Sequence, residues 1–183
     1  KFINITAIAG LQPNFAYGLN VIAGDINDDG YQDLYVCNDF AENDYVYINQ
    51  KNGTFKHFEK NIVNHISFSS MGADIGDIDN DGREDIFISE MRPEDYRRSK
   101  TSMPAMNPAV YDSLKIYGIA FQFMHNTLLY NQGKGYYSEI AHMCNLDKTE
   151  WSWAPLIVDF NNDGLKDLFV ATGHKRDVMD RDV

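Results

Sequence analysis

The chain has 183 residues, 44% of them hydrophobic and 23% charged, which is enough apolar material for a core and too much for a disordered tail. No run approaches the roughly 18 to 20 apolar residues that a spanning helix needs, so direct membrane insertion is not expected. The net charge of -11 argues against a nucleic-acid partner, whose phosphates must be met by lysine and arginine.

Of the 27 acidic residues, 20 are aspartate, which favours turns, caps and hard-cation sites. Their placement follows a repeat. FINITAIAGL, from Phe2, comes first, then LNVIAGD (from Leu19) runs into the window DINDDGYQD, Asp25 to Asp33. LYVCN follows, a β-branched and aromatic run that reads as a buried strand. YVYINQKNGTFKHF, from Tyr45, reads as a hairpin with a Gly-containing turn. The order then recurs as MGADIGD, the window DIDNDGRED (Asp77 to Asp85) and IFISE. A second hairpin, LLYNQGKGYYSEI from Leu128, matches the first through Asn49, Gly53 and Phe55 against Asn131, Gly135 and Tyr137. WAPLIVD, the window DFNNDGLKD (Asp159 to Asp167) and LFVAT close the series. The N-terminal segment repeats the last piece of the unit alone, with Phe2 and Ile5 matching Tyr137 and Ile140.

The three windows carry -4, -4 and -2, so nearly all the net charge lies in 27 residues. Each has the form D-x-D/N-x-D-G-x-x-D, with Gly30, Gly82 or Gly164 where the loop must turn sharply. Oxygen-bearing side chains at positions 1, 3, 5 and 9 point inward if the loop wraps a point, and clustered carboxylates repel unless a cation sits among them. Calcium suits such a loop, since it takes six to eight oxygens in flexible geometry. The backbone carbonyl of Tyr31, Arg83 or Leu165 at position 7 would add a ligand. Magnesium wants a smaller octahedral shell, and zinc wants histidine or cysteine, which the windows lack. An EF-hand is excluded, because position 12 is Val36, Ile88 or Val170 rather than glutamate and strands follow the loop.

One unit is therefore strand, acidic loop, strand, connection, strand, Gly turn, strand. Four antiparallel strands in about 50 residues is the signature of a β-propeller blade. The expected fold class is all-β, an incomplete propeller of two full blades plus partial ones. Residues 1–11 are expected to be the outer strand of a preceding blade. Residues 18–64 are expected to form a blade with the first loop, and 69–146 a blade with the second loop and an insertion at 91–125. Residues 151–183 are then the first half of a third blade with the third loop.

The loop and the hairpin together resemble the FG-GAP/VCBS repeat of integrin-alpha-like calcium-binding propellers. SMGADIGDIDNDGREDIFISEMRPEDYR and EWSWAPLIVDFNNDGLKDLFVATGHKRD are most similar to a bacterial branch related to cartilage acidic protein (ASPIC/UnbV-associated proteins). The resemblance implies three calcium sites: Asp25, Asn27, Asp29 and Asp33; Asp77, Asp79, Asp81 and Asp85; Asp159, Asn161, Asp163 and Asp167. It also implies six to eight blades in a closed ring, more than this chain supplies. Further sequence or self-association with other copies is expected to complete the ring.

The second and third windows start 82 residues apart against 52 for the first two, and the excess lies between Glu90 and about His125. This insertion carries Arg92, Arg97, Arg98 and Lys100 with Tyr96, Tyr111 and Tyr117, and Asn107, Pro108 and Gly118 mark a short helix. It joins a blade's second and third strands, so it is expected on the face away from the acidic loops, covering a blade or meeting a partner.

Cys37 and Cys144 fall in small-residue slots of the repeat and are expected as buried free thiols. His57, His65, His125, His142 and His174 are scattered and form no i, i+4 zinc pair. Trp153, aligned with Leu19 and Met71, is expected in the core, and Trp151 nearer the surface. Asp74, outside the loops, is expected to line a channel or to be buried and paired.

With no catalytic motif, the expected function is non-enzymatic: a binding or adhesion module of an exported, periplasmic or cell-surface protein, with a protein or glycan ligand. The chain opens on Lys1 rather than methionine, which fits a removed export signal or a start within a longer protein. The alternative is a propeller domain of a polysaccharide lyase or hydrolase, which needs Arg, Lys, His or Tyr converging in one cleft.

Overall fold

A computed structural model describes residues 2–11, 17–40, 42–58, 65–101, 109, 112–113, 116 and 121–173. The apolar runs flanking each acidic window form its strands. β1 (Tyr17–Gly24), β2 (Asp33–Asp39), β3 (Tyr45–Asn49) and β4 (Phe55–His57) pair antiparallel in that order. Then come β5 (His65–Ser67), β6 (Gly72–Gly76), β7 (Asp85–Ser89), β8 (Met91–Arg92) and the short helix α1 (Tyr96–Thr101). β9 (Phe121–Phe123), β10 (Thr127–Asn131) and β11 (Tyr137–Glu139) follow. β6, β7, β10 and β11 make the second four-stranded antiparallel sheet. β12 (Glu150–Val158) and β13 (Asp167–Thr172) form an antiparallel pair that β8 joins at Glu150 and Trp151. The fold is all-β and propeller-like, and it is incomplete.

The sheets stack with their first strands side by side, β6 between β1 and β12. β7 is buried along its whole length. Its alternation sends Ile86 and Ile88 into one core with Ile26, Tyr35, Cys37 and Leu129. Phe87 points the other way, joining Leu128, Ala141 and Ile157. A strand covered on both faces needs such a continuous apolar run. The backbones approach so closely that a Cβ on Gly72 would collide with the Trp153 carbonyl oxygen. Side chains also tie neighbouring first strands together. Asn20 Nδ2 donates to the Ala73 carbonyl (3.2 Å), and the Ile157 N–H donates to Asp74 Oδ2 (2.7 Å). Asp74 is thus a strand-to-strand bracket.

Two expectations, on the tryptophans and on Cys144, need correction. Trp153 is exposed, whereas Trp151 packs against the cluster of Met71 and Met91. The cause is a β-bulge: the register slips between Ser152 and Ala154, and at the matching place between Gly18 and Asn20. The extra residue of each bulge, Trp153 or Leu19, is turned outward.

Residues 2–5 make no ladder, since no strand partner for them lies among the described residues. The turn that follows them does repeat. Ala9 N–H to Ile5 O, Gly10 to Ala7 and Leu11 to Thr6 recur as Cys144 to Ile140, Asn145 to His142 and Leu146 to Ala141. Gly10 and Asn145 share the left-handed backbone that closes it.

Cys144 is exposed, although its counterpart Ala9 is buried. The Phe55 N–H at the start of β4 bonds the Ala9 carbonyl (2.7 Å) and covers that turn, and nothing equivalent covers Cys144 among the described residues. Cys37 is buried as expected.

The expected helix bounds Asn107, Pro108 and Gly118, with Tyr111, Tyr117 and His174, lie outside the described residues. β8 meets β12 at Glu150 and Trp151, the end remote from the third acidic loop, and Arg98 Nη1 pairs with Glu150 Oε2 at 2.7 Å. The start of the insertion therefore lies at the end of the sheets away from that loop.

Two buried carboxyls stitch this far end. Asp44 accepts bonds from Tyr35 Oη (2.7 Å), the Asn38 N–H (2.8 Å) and Ser70 Oγ (2.7 Å). Glu90 accepts from Ser67 Oγ (2.8 Å) and the N–H groups of Ser69 (2.7 Å) and Met91 (2.8 Å). Burial outweighs these donors and pushes Asp44 up to about 6 and Glu90 up to about 7. Both hold a proton more tightly folded than unfolded, so their contribution is full below about pH 4 and is lost as pH rises towards 7. Urea denaturation across that range should show wild-type stability falling by about 2–3 kcal/mol relative to Glu90→Gln, which does not titrate. Parallel pH profiles for the two proteins would contradict this.

Candidate metal centre

The three acidic windows adopt one conformation. Position 4 (Asp28, Asn80, Asn162) has φ of 61° in each, and the glycine at position 6 has φ of 85° or 88°. Both are left-handed, the region that glycine, asparagine and aspartate tolerate best. The asparagine or aspartate at position 4 was a readable signal of this loop that the motif spacing passes over.

The first aspartate organises each turn. Asp25 accepts the N–H of Asp29 (2.8 Å) and Gly30 (2.7 Å), Asp77 those of Asp81 (3.0 Å) and Gly82 (2.8 Å), and Asp159 those of Asp163 (3.1 Å) and Gly164 (2.8 Å). The position-5 carboxylates of Asp29, Asp81 and Asp163 accept the N–H of Tyr31, Arg83 and Leu165. The Tyr31 and Leu165 side chains are exposed, while Arg83 Nε reaches back to the Asn131 carbonyl (3.1 Å).

Position 9 anchors the loop to its own sheet. Asp33 Oδ1 accepts the Asn49 N–H (2.7 Å) and Asp85 Oδ1 the Asn131 N–H (2.8 Å). Asn49 and Asn131 are the hairpin asparagines of the repeat, and each donates its side-chain amide to the residue before that aspartate, Gln32 or Glu84. In the third loop Asp167 Oδ2 accepts the Phe160 N–H (3.0 Å).

The second loop gathers Asp77, Asp79 and Asp85, which bring carboxylate oxygens within 4.8 Å of one another. Asp81 turns instead to the Arg83 guanidinium. In the first and third loops position 3 is Asn27 or Asn161, which donates to Asp29 Oδ2 (3.3 Å) or Asp163 Oδ2 (2.9 Å). Lys51 Nζ stands 3.3 Å from Asp29 Oδ2.

The donor chemistry fits a hard cation. Asp33 and Asp85 are buried, and Asp33 Oδ2 accepts no hydrogen bond among the described residues. Burial holds both carboxyls above the usual carboxylate range against their N–H donors, and the charges of Asp29 and Asp25, or Asp79 and Asp81, push the same way. A bound cation reverses that balance.

The far end of the sheets holds a second feature that sequence spacing did not reveal. His65, His125 and His142, read as scattered, line one cavity of about 580 Å³ with Arg92, Lys100 and Glu139. His57 lies elsewhere, its ring tilted against those of Tyr45 and Tyr47.

Residues 12–88, which span the first two acidic loops, match the model of the FG-GAP-like repeat. No curated protein matches it.

Proposed function

We propose that the chain is a calcium-stabilised propeller segment of an exported or cell-surface protein, a non-enzymatic module for binding or adhesion. We place it with the cartilage-acidic-protein-like branch that its second and third repeats resemble. The carrying observation is the clustering of Asp77, Asp79 and Asp85 in a loop whose left-handed positions recur in two others. Calcium would bind through the carboxylates and amides at positions 1, 3, 5 and 9 with the carbonyls of Tyr31, Arg83 and Leu165. Its role is structural: each loop joins the first two strands of a sheet and the position-9 aspartate reaches the third, so a filled loop holds three strands together.

The exposed apolar faces at the two ends of the stack support further blades or copies beside this chain. Leu19 and Val21 lie on one, and Leu156, Val158 and Phe169 on the other. The partner itself would be a protein or a glycan. Calcium titration by calorimetry on chelator-treated protein tests the reading, with heat of binding expected and none contradicting it.

A second reading, a polysaccharide-degrading domain, draws on the histidine-lined cavity. It ranks below the first because Glu139, the carboxyl of that cavity, is held in its ionised form and so lacks the proton a general acid must donate. Burial opposes its ionisation, but His65 and the N–H groups of Ala141 and Leu128 hold it below the usual glutamate range.

A further inference from the structure

His65, His125 and His142 come from three different segments: β5, the turn before β10, and the turn after β11. The His125 ring lies 4.8 Å from that of His142 and 5.5 Å from that of His65, centroid to centroid. Each imidazole has one nitrogen facing an oxygen acceptor. His125 Nδ1 is 2.6 Å from the Asn126 carbonyl, His142 Nδ1 is 3.4 Å from Asp147 Oδ2, and His65 Nε2 is 3.5 Å from Glu139 Oε2. A carbonyl oxygen only accepts, so His125 Nδ1 carries the proton and the lone pair of the neutral ring sits on Nε2. His125 is 5% exposed and lines the cavity, and its Nε2 has no partner among the described residues. Burial disfavours its charged form, against the pull of the Asn126 carbonyl and Glu139.

We propose that His65, His125 and His142 form a nitrogen-donor site for a divalent transition ion of the zinc type, separate from the acidic loops. Histidines that bind such ions characteristically give their second ring nitrogen to a carboxylate or carbonyl, which fixes the tautomer and aims the other lone pair. The His125 ring has that arrangement, the His142 and His65 rings approach carboxylates at 3.4 and 3.5 Å, and imidazole prefers zinc-like ions to calcium. An anionic ligand fits less well, because the cations of the cavity are engaged: Arg92 Nη1 lies 3.5 Å from Asp147 Oδ2, and Lys100 sits over the Tyr96 ring. What the cavity offers is lone pairs. The three imidazoles are not gathered as tightly as the Asp77, Asp79 and Asp85 oxygens, so binding requires the rings to draw together, and His142, whose side chain is 57% exposed, has room to adjust.

The proposal stands whether or not the loops bind calcium. It is tested by titrating the full chain with zinc in millimolar calcium by calorimetry, with cobalt(II) as an absorption probe. One equivalent should bind, the bound cobalt should show intensified visible absorption, and His125→Gln and His142→Gln should each weaken binding at least about tenfold. His142 is exposed enough that its replacement leaves the fold intact, so this variant decides the matter if His125→Gln is unstable. No zinc binding, displacement of zinc by calcium, or an affinity unchanged in His142→Gln would overturn the site.

Discussion

Asp85→Ala is expected to lower stability by about 3 kcal/mol or more, a drop in Tm of about 6–12 °C for a chain of this size. Asp85 is 1% exposed, and its two oxygens accept the N–H groups of Asn131 and Ile78. Removing it leaves both donors without a partner, and buried donors without one cost about 1–3 kcal/mol each. It also unhooks the second loop from β10 and takes one oxygen from the group it forms with Asp77 and Asp79. Asp81→Ala is the matched control, since Asp81 lies at the loop surface and its carboxylate meets only Arg83 among the described residues, through the guanidinium and the backbone N–H. Its loss should be under about 1 kcal/mol without calcium. Urea denaturation of the two variants in chelator measures the difference, and equal losses would contradict the anchoring role of position 9.

Chelation should have an effect of similar size or larger. A ligand at a hundred times its Kd stabilises a folded chain by about 2.7 kcal/mol per site. At about 2–4 °C per kcal/mol, one emptied loop lowers Tm by about 5–10 °C and three by more than about 15 °C. The physical reason is that Asp33 and Asp85 are buried among other carboxylates, so the first and second loops, unfilled, hold repelling charge. Thermal melts with EDTA, and again after calcium is restored, read the shift. A Tm unmoved by EDTA, with the metal shown to be gone, would sink the structural role of calcium.

The repeat was legible because its signals are local. Nine residues specify each loop, and the hairpin pairs Asn49 with Asn131 and Gly53 with Gly135 at constant offsets from each other. A 30-residue insertion does not disturb that pattern, because the Asp85 to Asn131 bond simply spans it. Features that depend on distant packing were not legible. The bulges at Leu19 and Trp153 depend on how the strands pair, and a one-residue slip reverses the expected exposure. Burial of Ala9 and exposure of its counterpart Cys144 depend on whether a following strand covers the turn. The histidine cluster exists because β5 and β9 pair in parallel, His65 against Phe121 and Ser67 against Phe123, which carries His125 back to His65. Two three-residue strands 53 residues apart leave no periodic trace to read.

The central claim is that the acidic loops are metal sites, and counting bound calcium tests it most directly. Calorimetric titration of the chelator-treated chain, checked by metal analysis after dialysis, should give three ions per chain. Asp77→Ala should remove the ion of the second loop and leave two. No calcium bound, or a stoichiometry unchanged by Asp77→Ala, would contradict it.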